Sequence, residues 1–394
     1  LIKRVFLIDP MCVLDFGHNP KSLLYFSDYF SSAGYEPTPV VCKYFPLQIG
    51  DYARFERRFD YYYQQFVPLK SPPAPPPTTK GDFLDPLESL ATAEFSRWLV
   101  DDAVGVDDCV FYPSVDFYGA CGLLRALIAR GDENIPQVHL RFIGVMENGT
   151  RSTSKPLAHI GKLLKALGRP DRITLSAESP IYADNLRDTF DLKVGWTLYP
   201  LESAIIPLPD NKPYRVFSAG AGRGDKGFFR MLNIARLYAK IHPEDEVRFV
   251  VQNVPPAEER HHTGYISQLY AAPNIDLLPA RLSDEELEAQ YAASSFLIMP
   301  YDYETYRFRG SAVFMEGVAK HRPFAIASGT GFHPLVNELE AAFNCAKDED
   351  FVEVIHRFSR MGAAEVRPLT DRTASRYSNL ARKQMAAVWT GANA

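Results

Sequence analysis

The residues best able to do chemistry lie in SAGAGRGDKGFF, residues 218–229. This stretch has the spacing G-x-G-x-x-G (Gly222, Gly224, Gly227) and threads two cations, Arg223 and Lys226, between the glycines. YRVFSAG (214–220) before it is an apolar run that stops at glycines, as a buried parallel strand does. Residues 228–241 after it repeat apolar side chains at helical spacing. A turn from strand to helix favours an anion, through its N–H groups and the helix dipole. A nicotinamide fingerprint would need an acid ~20 positions on, at the end of the next strand. That strand ends in Gln252-Asn253. An RGD adhesion signal would need an exposed extracellular loop, whereas this tripeptide sits between strand and helix. A phosphate site clamped by a guanidinium fork and an ammonium accounts for both cations. The blander alternative is a structural glycine turn with solvated charges.

A partner segment follows in MPYDYETYRFRGSAVFMEGVAKHRPFAIASGTGF (299–332). A strand is expected to end at Pro300 and a helix to start near Ser311. Ser311 and the N–H groups beside it offer a second face to a phosphate. Glu316, in the second turn of that helix, carries a carboxylate able to take a ribose diol through two hydrogen bonds. Taken alone, Glu316 would read as a solvated helix glutamate.

Together, GAGRGDKGF (220–228) and LIMPYDYETYRFRGSAVFMEGVAKHRPFAIASGTG (297–331) resemble the nucleotide-sugar domain of GT-B fold glycosyltransferases, above all the retaining glycosyltransferase family 4 (glycosyl transferases group 1). The resemblance implies an α/β fold of two Rossmann-like, doubly wound parallel-sheet domains facing across a cleft. It implies transfer of a sugar from a nucleoside-diphosphate sugar to a hydroxyl on a glycan, lipid-linked or other acceptor, with retention. Arg223 and Lys226 would hold the diphosphate, with Gly222, Ser311 and Ala312 beside it, and Glu316 the ribose. The loop 279–282, with Arg281 and Leu282, would meet the base. The family spaces its two glutamates as E-x7-E. Here Glu304 stands twelve residues before Glu316, and the position one step from Glu304 is Ala312. The sugar-side acid is therefore Glu304, Asp302 or neither. Gly17-His18 resembles the glycine-rich first loop of the fold, with Gly17 against the donor and His18 as base if the course is inverting. His139 and Arg141 resemble a later strand with a His near the sugar, in a shifted register. Glu147 is a further polar candidate. The family needs no cofactor and no bound metal. His261-His262 and the D-x-D of Asp348 and Asp350 are read as polar helix residues. Two alternatives remain open: a twin-Rossmann nucleotide-sugar epimerase, or a non-catalytic nucleotide-sugar-binding protein, suggested by the broken glutamate spacing.

The elements that must position these residues are legible as an alternation. In the second half, strands are expected at 214–220, 246–253, 274–279, 295–301 and 322–328. Helices are expected at 228–241, 258–272, 283–294 and 311–321. Ser283 with Glu286 makes a capping box. Such alternation implies a doubly wound parallel sheet. The first half repeats it with strands at 4–9, 36–41, 108–113, 136–144 and 172–177 and helices at 19–33, 117–130 and 157–167. Tyr52, Phe55, Phe59, Tyr62 and Phe66 share one face if 52–66 is a helix, either a core helix or one facing a membrane or acceptor. KSPPAPPPTTKG (70–81) reads as a polyproline surface loop. The expected domains are 1–206, with insertions near 44–103, and 207–372, joined by PLPDNKP (207–213). A last helix over 373–394 is expected to pack back on the first domain.

Composition excludes several classes. With 394 residues the chain is long enough for two domains, and 46% hydrophobic residues with 23% charged is ordinary for a globular protein. A net charge of −5 offers nothing general to nucleic acid. No apolar run approaches a membrane span, and the first ten residues read as a strand rather than a signal peptide. Five scattered cysteines fit reduced thiols in a cytoplasm, so the glycosylation sequon at Asn148 is read as unused. The expected location is cytoplasmic, with peripheral contact at the inner face of a membrane left open.

Overall fold

Val5, Leu7 and Ile8 are apolar and wholly buried, which makes RVFLID the interior first strand, β1 (Arg4–Asp9). The structure, a computed structural model, describes residues 3–15, 17–46, 50–59, 86–144, 154–210 and 212–389. The chain divides into two compact units, Leu1–Pro200 with Gln384–Ala394, and Leu201–Lys383.

In the first unit β1 is followed by α1 (His18–Ser32), β2 (Glu36–Cys42), β3 (Glu56–Phe59), α2 (Pro86–Asp101), β4 (Cys109–Val115), α3 (Phe117–Arg130), β5 (Gln137–Phe142), α4 (Ser154–Ala166), β6 (Ile173–Ala177), α5 (Pro180–Phe190) and β7 (Gly195–Trp196). Its sheet runs β3-β2-β1-β4-β5-β6-β7, every pair parallel. Both faces are covered, so β4 is buried along its whole length. The second unit contains β8 (Tyr214–Ser218), α6 (Phe228–Ile241), β9 (Val247–Gln252), α7 (Pro256–Glu259), α8 (Thr263–Ala271), β10 (Ile275–Leu278), α9 (Asp284–Ala293), β11 (Phe296–Met299), α10 (Tyr303–Tyr306), α11 (Ala312–Ala319), β12 (Phe324–Ala327), α12 (His333–Val336), β13 (Ala342–Cys345) and α13 (Asp348–Ser359); α14 (Ala363–Trp389) follows. Its sheet runs β10-β9-β8-β11-β12-β13, again parallel throughout. Val216, Phe249, Phe296 and Ile298 from the strands pack with Met231, Ile234 and Ala235 of α6 and Ile355 of α13. Each such buried side chain contributes roughly 1.5–3 kcal/mol.

Both sheets reverse their order beside the first strand, between β1 and β4 and between β8 and β11. At such a reversal the neighbouring loops leave in opposite directions, which opens a crevice at the carboxyl ends of the strands. Each unit therefore has one favoured place for a ligand.

Three expectations change. Residues 50–54 form a turn of 3-10 helix and Glu56–Phe59 a strand, not part of a helix over 52–66. The edge of β2 decides this: Val40, Val41 and Cys42 pair with Glu56, Arg57 and Phe59. Phe59 packs on Phe95 and Trp98 of α2, which an extended chain delivers without a helical face. Tyr62 and Phe66, the loop 70–81, Glu147 and the sequon at Asn148 lie outside the described residues. The helix expected over 258–272 is broken into α7 and α8 around Arg260–His262. The division between units falls at Pro200/Leu201, where 206/207 was expected. Among the described residues, no helix is long and apolar enough to cross a membrane.

Candidate functional site

At the reversal in the second unit, the chain leaves β8 into residues 219–227, where the glycines meet close neighbours. Gly220 has φ +93°, and a Cβ there would lie 2.5 Å from the Lys226 Nζ. Gly227 has φ +78°, and a Cβ there would strike the Pro300 carbonyl. Neither position tolerates an ordinary side chain. Between them Gly224–Lys226 make one 3-10 turn, and α6 begins at Phe228. The loop is tied to the next strand: the Gly222 N–H donates to the Asn253 carbonyl at 2.8 Å, and the Gly220 N–H to the Gln252 side chain.

The two cations have different surroundings. Arg223 is exposed and grips Asp225 with both arms of its fork, Nε to Oδ1 at 2.8 Å. Burial raises the Asp225 carboxyl, but Arg223, Arg309 and Lys226 outweigh it and hold the group below the ordinary carboxylate range. Lys226 is only partly exposed. Burial, then the nearby Arg223, push its ammonium down to about 8, against the pull of Asp225 and Glu316.

Arg309 is a third cation that sequence reasoning missed. Its Nη1 lies 3.9 Å from Asp225, and its Nε is buried with no hydrogen-bond partner. The only signal was its place two residues before the expected helix start at Ser311. On that helix, α11, Ser311 is the N-cap: its hydroxyl accepts the Phe314 N–H at 3.2 Å and lies 3.1 Å from the Tyr301 hydroxyl. Ala312 begins the helix, and Glu316 accepts from the Tyr291 hydroxyl at 3.4 Å. Asp302 donates its N–H to the Asp225 carbonyl at 2.8 Å, while its carboxylate caps α10 at Thr305. Glu304 is exposed on α10. Arg281 and Leu282 follow β10, in the loop whose Ala280 carbonyl accepts from Gln252 at 3.2 Å. The second unit therefore brings Gly222, Arg223, Lys226, Asp302, Ser311, Ala312 and Glu316 to one reversal.

At the first unit's reversal, Gly17 is the N-cap of α1 and His18 its exposed first residue. Next to His18, Asn19 donates to Asp9 at 3.0 Å. Asp9 ends β1 and is fully buried; desolvation raises it to about 7, despite hydrogen bonds from Asn19 and Met11, with a further push from Asp116. Asp116, the N-cap of α3, is raised by burial to about 6 while accepting from the Tyr112 hydroxyl at 2.6 Å. Sequence reasoning passed over both; the signal was an acid at the end of a buried strand and another opening a helix.

His139 and Arg141 are buried, 1% and 0% exposed. Burial, with Arg141 nearby, lowers His139 to about 3, so its imidazole is neutral at ordinary pH; it hydrogen-bonds Ser176 at 2.6 Å. Arg141 spends its donors on the Thr197 carbonyl and hydroxyl and the Pro113 carbonyl, and lies over the rings of Phe26 and Tyr199. In this structure neither side chain reaches solvent.

The expected polar helix residues also have local roles. Asp348 pairs with Arg230 at 2.7 Å, and Asp350 accepts the N–H groups of Ala346 and Lys347 at the start of α13. Among the described residues, two other groups have metal-ligand chemistry: Glu88, Cys121 and His159, and His242, Asp245 and His356. Glu88 already binds Arg125 and His159, and the rings of His242 and His356 stack with centroids 3.6 Å apart.

No protein-family model and no curated protein sequence matches the chain. Solved structures do. The chain is similar to a glycosyltransferase from Rickettsia africae ESF-5, at 13% identity and TM-score 0.64, covering 98% of this chain and 97% of that one. It is similar to the lipopolysaccharide outer core galactosyltransferase WaaB, at 12% identity and TM-score 0.61, over 98% and 99% of the two chains. It is also similar to a trehalose-6-phosphate structure from E. coli bound with UDP-2-fluoro glucose, at 12% identity and TM-score 0.65, over 98% of each. With two parallel sheets, each reversing beside its first strand, and a likeness to glycosyltransferases along nearly its whole length, the protein has the GT-B fold.

Proposed function

We propose that the protein is a glycosyltransferase that takes a sugar from a nucleoside-diphosphate sugar and places it on a hydroxyl of a glycan, lipid-linked or other acceptor, with retention. The observation that carries this reading is the charge around Lys226. Arg223, Lys226 and Arg309 gather about the carboxylate of Asp225, and Lys226, held down to about 8 by burial first and by Arg223 second, sits among them. Such a site favours a dianionic group, and it stands where a parallel sheet receives ligands.

In the proposed reaction the bond from the anomeric carbon to the diphosphate oxygen breaks and its electron pair leaves with the diphosphate. Lys226, Arg223 and Arg309 stabilise that growing charge with donors already in place. The acceptor oxygen bonds to the anomeric carbon, and its proton passes to the departing diphosphate oxygen. Glu316 holds the ribose, the loop carrying Arg281 and Leu282 the base, and Asp302 and Glu304 are assigned to the sugar side. Gly17 is assigned to the donor and His18 to the acceptor side. No cofactor and no metal ion enters this scheme, and peripheral contact with a membrane that carries a lipid-linked acceptor is compatible with it.

The test is a calorimetric screen of UDP, GDP and ADP and of their glucose and galactose conjugates. Binding that survives EDTA and is lost in Arg223→Ala and Lys226→Ala supports the reading. Absence of binding to every nucleotide refutes it.

A further inference from the structure

β9 ends at Gln252, with Asn253 next to it, at the point where a nicotinamide site would carry an acid, and the chemistry above uses neither residue. We propose that Gln252 is a positioning residue that couples the phosphate end of the donor site to its base end, through one side-chain amide that holds both loops; the proposal rests on the donor-site reading above. Its Oε1 accepts the Gly220 N–H, and its Nε2 donates to the Ala280 carbonyl at 3.2 Å. The side chain is 4% exposed, so water does not substitute for either bond. The two partners fix which way the amide points, since an N–H requires an acceptor and a carbonyl requires a donor.

The surroundings make this a brace. The backbone beyond Gln252 is anchored on both sides: the Asn253 N–H donates to Leu278 at 2.9 Å and the Asn253 carbonyl accepts from Gly222 at 2.8 Å. The Asn253 side chain is taken up by Glu259 at 3.0 Å and by the Val254 N–H at 2.8 Å. Gly220 in turn lies against the Lys226 Nζ, so holding its N–H fixes the seat of that ammonium. Ala280 stands one residue before Arg281, in the loop assigned to the base. A shift of the base-side loop at Ala280 therefore reaches Gly220 through the Gln252 side chain. Glutamine is the residue type that does this at neutral pH: an ionised glutamate accepts from Gly220 but cannot donate to Ala280, and methionine does neither well.

The experiment uses that difference in the full chain. Gln252→Glu should bind the tightest of UDP, GDP and ADP about tenfold more weakly than the unsubstituted protein at pH 8. Relative to the unsubstituted protein at each pH, the loss should shrink toward pH 5.5, where a protonated carboxyl again donates and accepts. Gln252→Met should weaken the nucleoside diphosphate more than it weakens inorganic pyrophosphate, at every pH. In the absence of nucleotide, amide hydrogen exchange of 280–282 should be faster in Gln252→Glu at pH 8 than at pH 5.5 after correction for intrinsic rates. Exchange and affinity equal to those of the unsubstituted protein at both pH values would overturn the brace. Exchange that responds as expected in a protein that binds no nucleotide would keep the brace and overturn its role in donor binding.

Discussion

Lys226 provides the sharpest prediction. Its ammonium is held down at about 8 by burial and by Arg223, whereas an ordinary lysine titrates at 10.5. An anionic diphosphate beside it stabilises the charged form and moves the pKa back up. Binding therefore takes up a proton wherever the free protein has lost it, and affinity must fall as pH rises through 8. If the complex restores the ordinary value, the dissociation constant for a nucleoside diphosphate rises about eightfold from pH 7.5 to pH 9. Calorimetry in buffers of different ionisation enthalpy measures both the affinity and the proton uptake. Lys226→Arg, always charged, should bind with a nearly flat profile over the same range. A flat profile in the unsubstituted protein, or the same slope in Lys226→Arg, would refute the assignment of this ammonium to the diphosphate.

Three further outcomes concern this loop and Arg309 beside it. Gly227→Ala should lower stability by at least about 1 kcal/mol in urea unfolding, because φ is positive there and the new methyl meets the Pro300 carbonyl; an unchanged midpoint would contradict the close approach. Asp225→Asn should bind inorganic pyrophosphate about tenfold more tightly at low salt, since it removes the one negative charge that occupies Arg223 and Arg309, and the gain should shrink in concentrated salt; weaker binding would mean that Asp225 holds the cations in register. Arg309→Ala should weaken nucleoside diphosphates about as much as Arg223→Ala does, and equal affinity in Arg309→Ala and the unsubstituted protein would remove the third cation from the account.

Much of the second unit was legible because its signals are local. β8 and β11 are apolar runs ending at glycine or proline, and the capping box that opens α9 is present, with Ser283 and Glu286 exchanging hydrogen bonds of 3.1 and 2.7 Å. Where a segment's fate depends on distant partners, the sequence misled. Residues 52–66 have a helical apolar period, yet Glu56–Phe59 complete the edge of β2. β13 is only four residues long and did not stand out, and α5 was passed over although Ser179 caps it and Tyr182, Ala183, Leu186 and Phe190 recur at helical spacing. Arg223, Lys226 and Glu316, assigned above to the donor, were singled out by type, spacing and the resemblance to glycosyltransferases. Asp9, Asp116 and Arg309 were not, because their significance lies in burial and in which charges surround them. His139 illustrates the reverse: a histidine on a strand attracts a catalytic reading, and only the fold reveals that it is buried against Ser176.

The central claim is that the loop between β8 and α6 holds a nucleoside diphosphate together with α11. A crystal structure of the protein with the diphosphate selected by calorimetry tests it most directly. The account predicts phosphate oxygens within hydrogen-bond reach of the Lys226 Nζ and Arg309, the Arg223 fork turned from Asp225 to the phosphate, and the ribose hydroxyls on Glu316. A nucleotide bound elsewhere, with Arg223 still gripping Asp225, would contradict it.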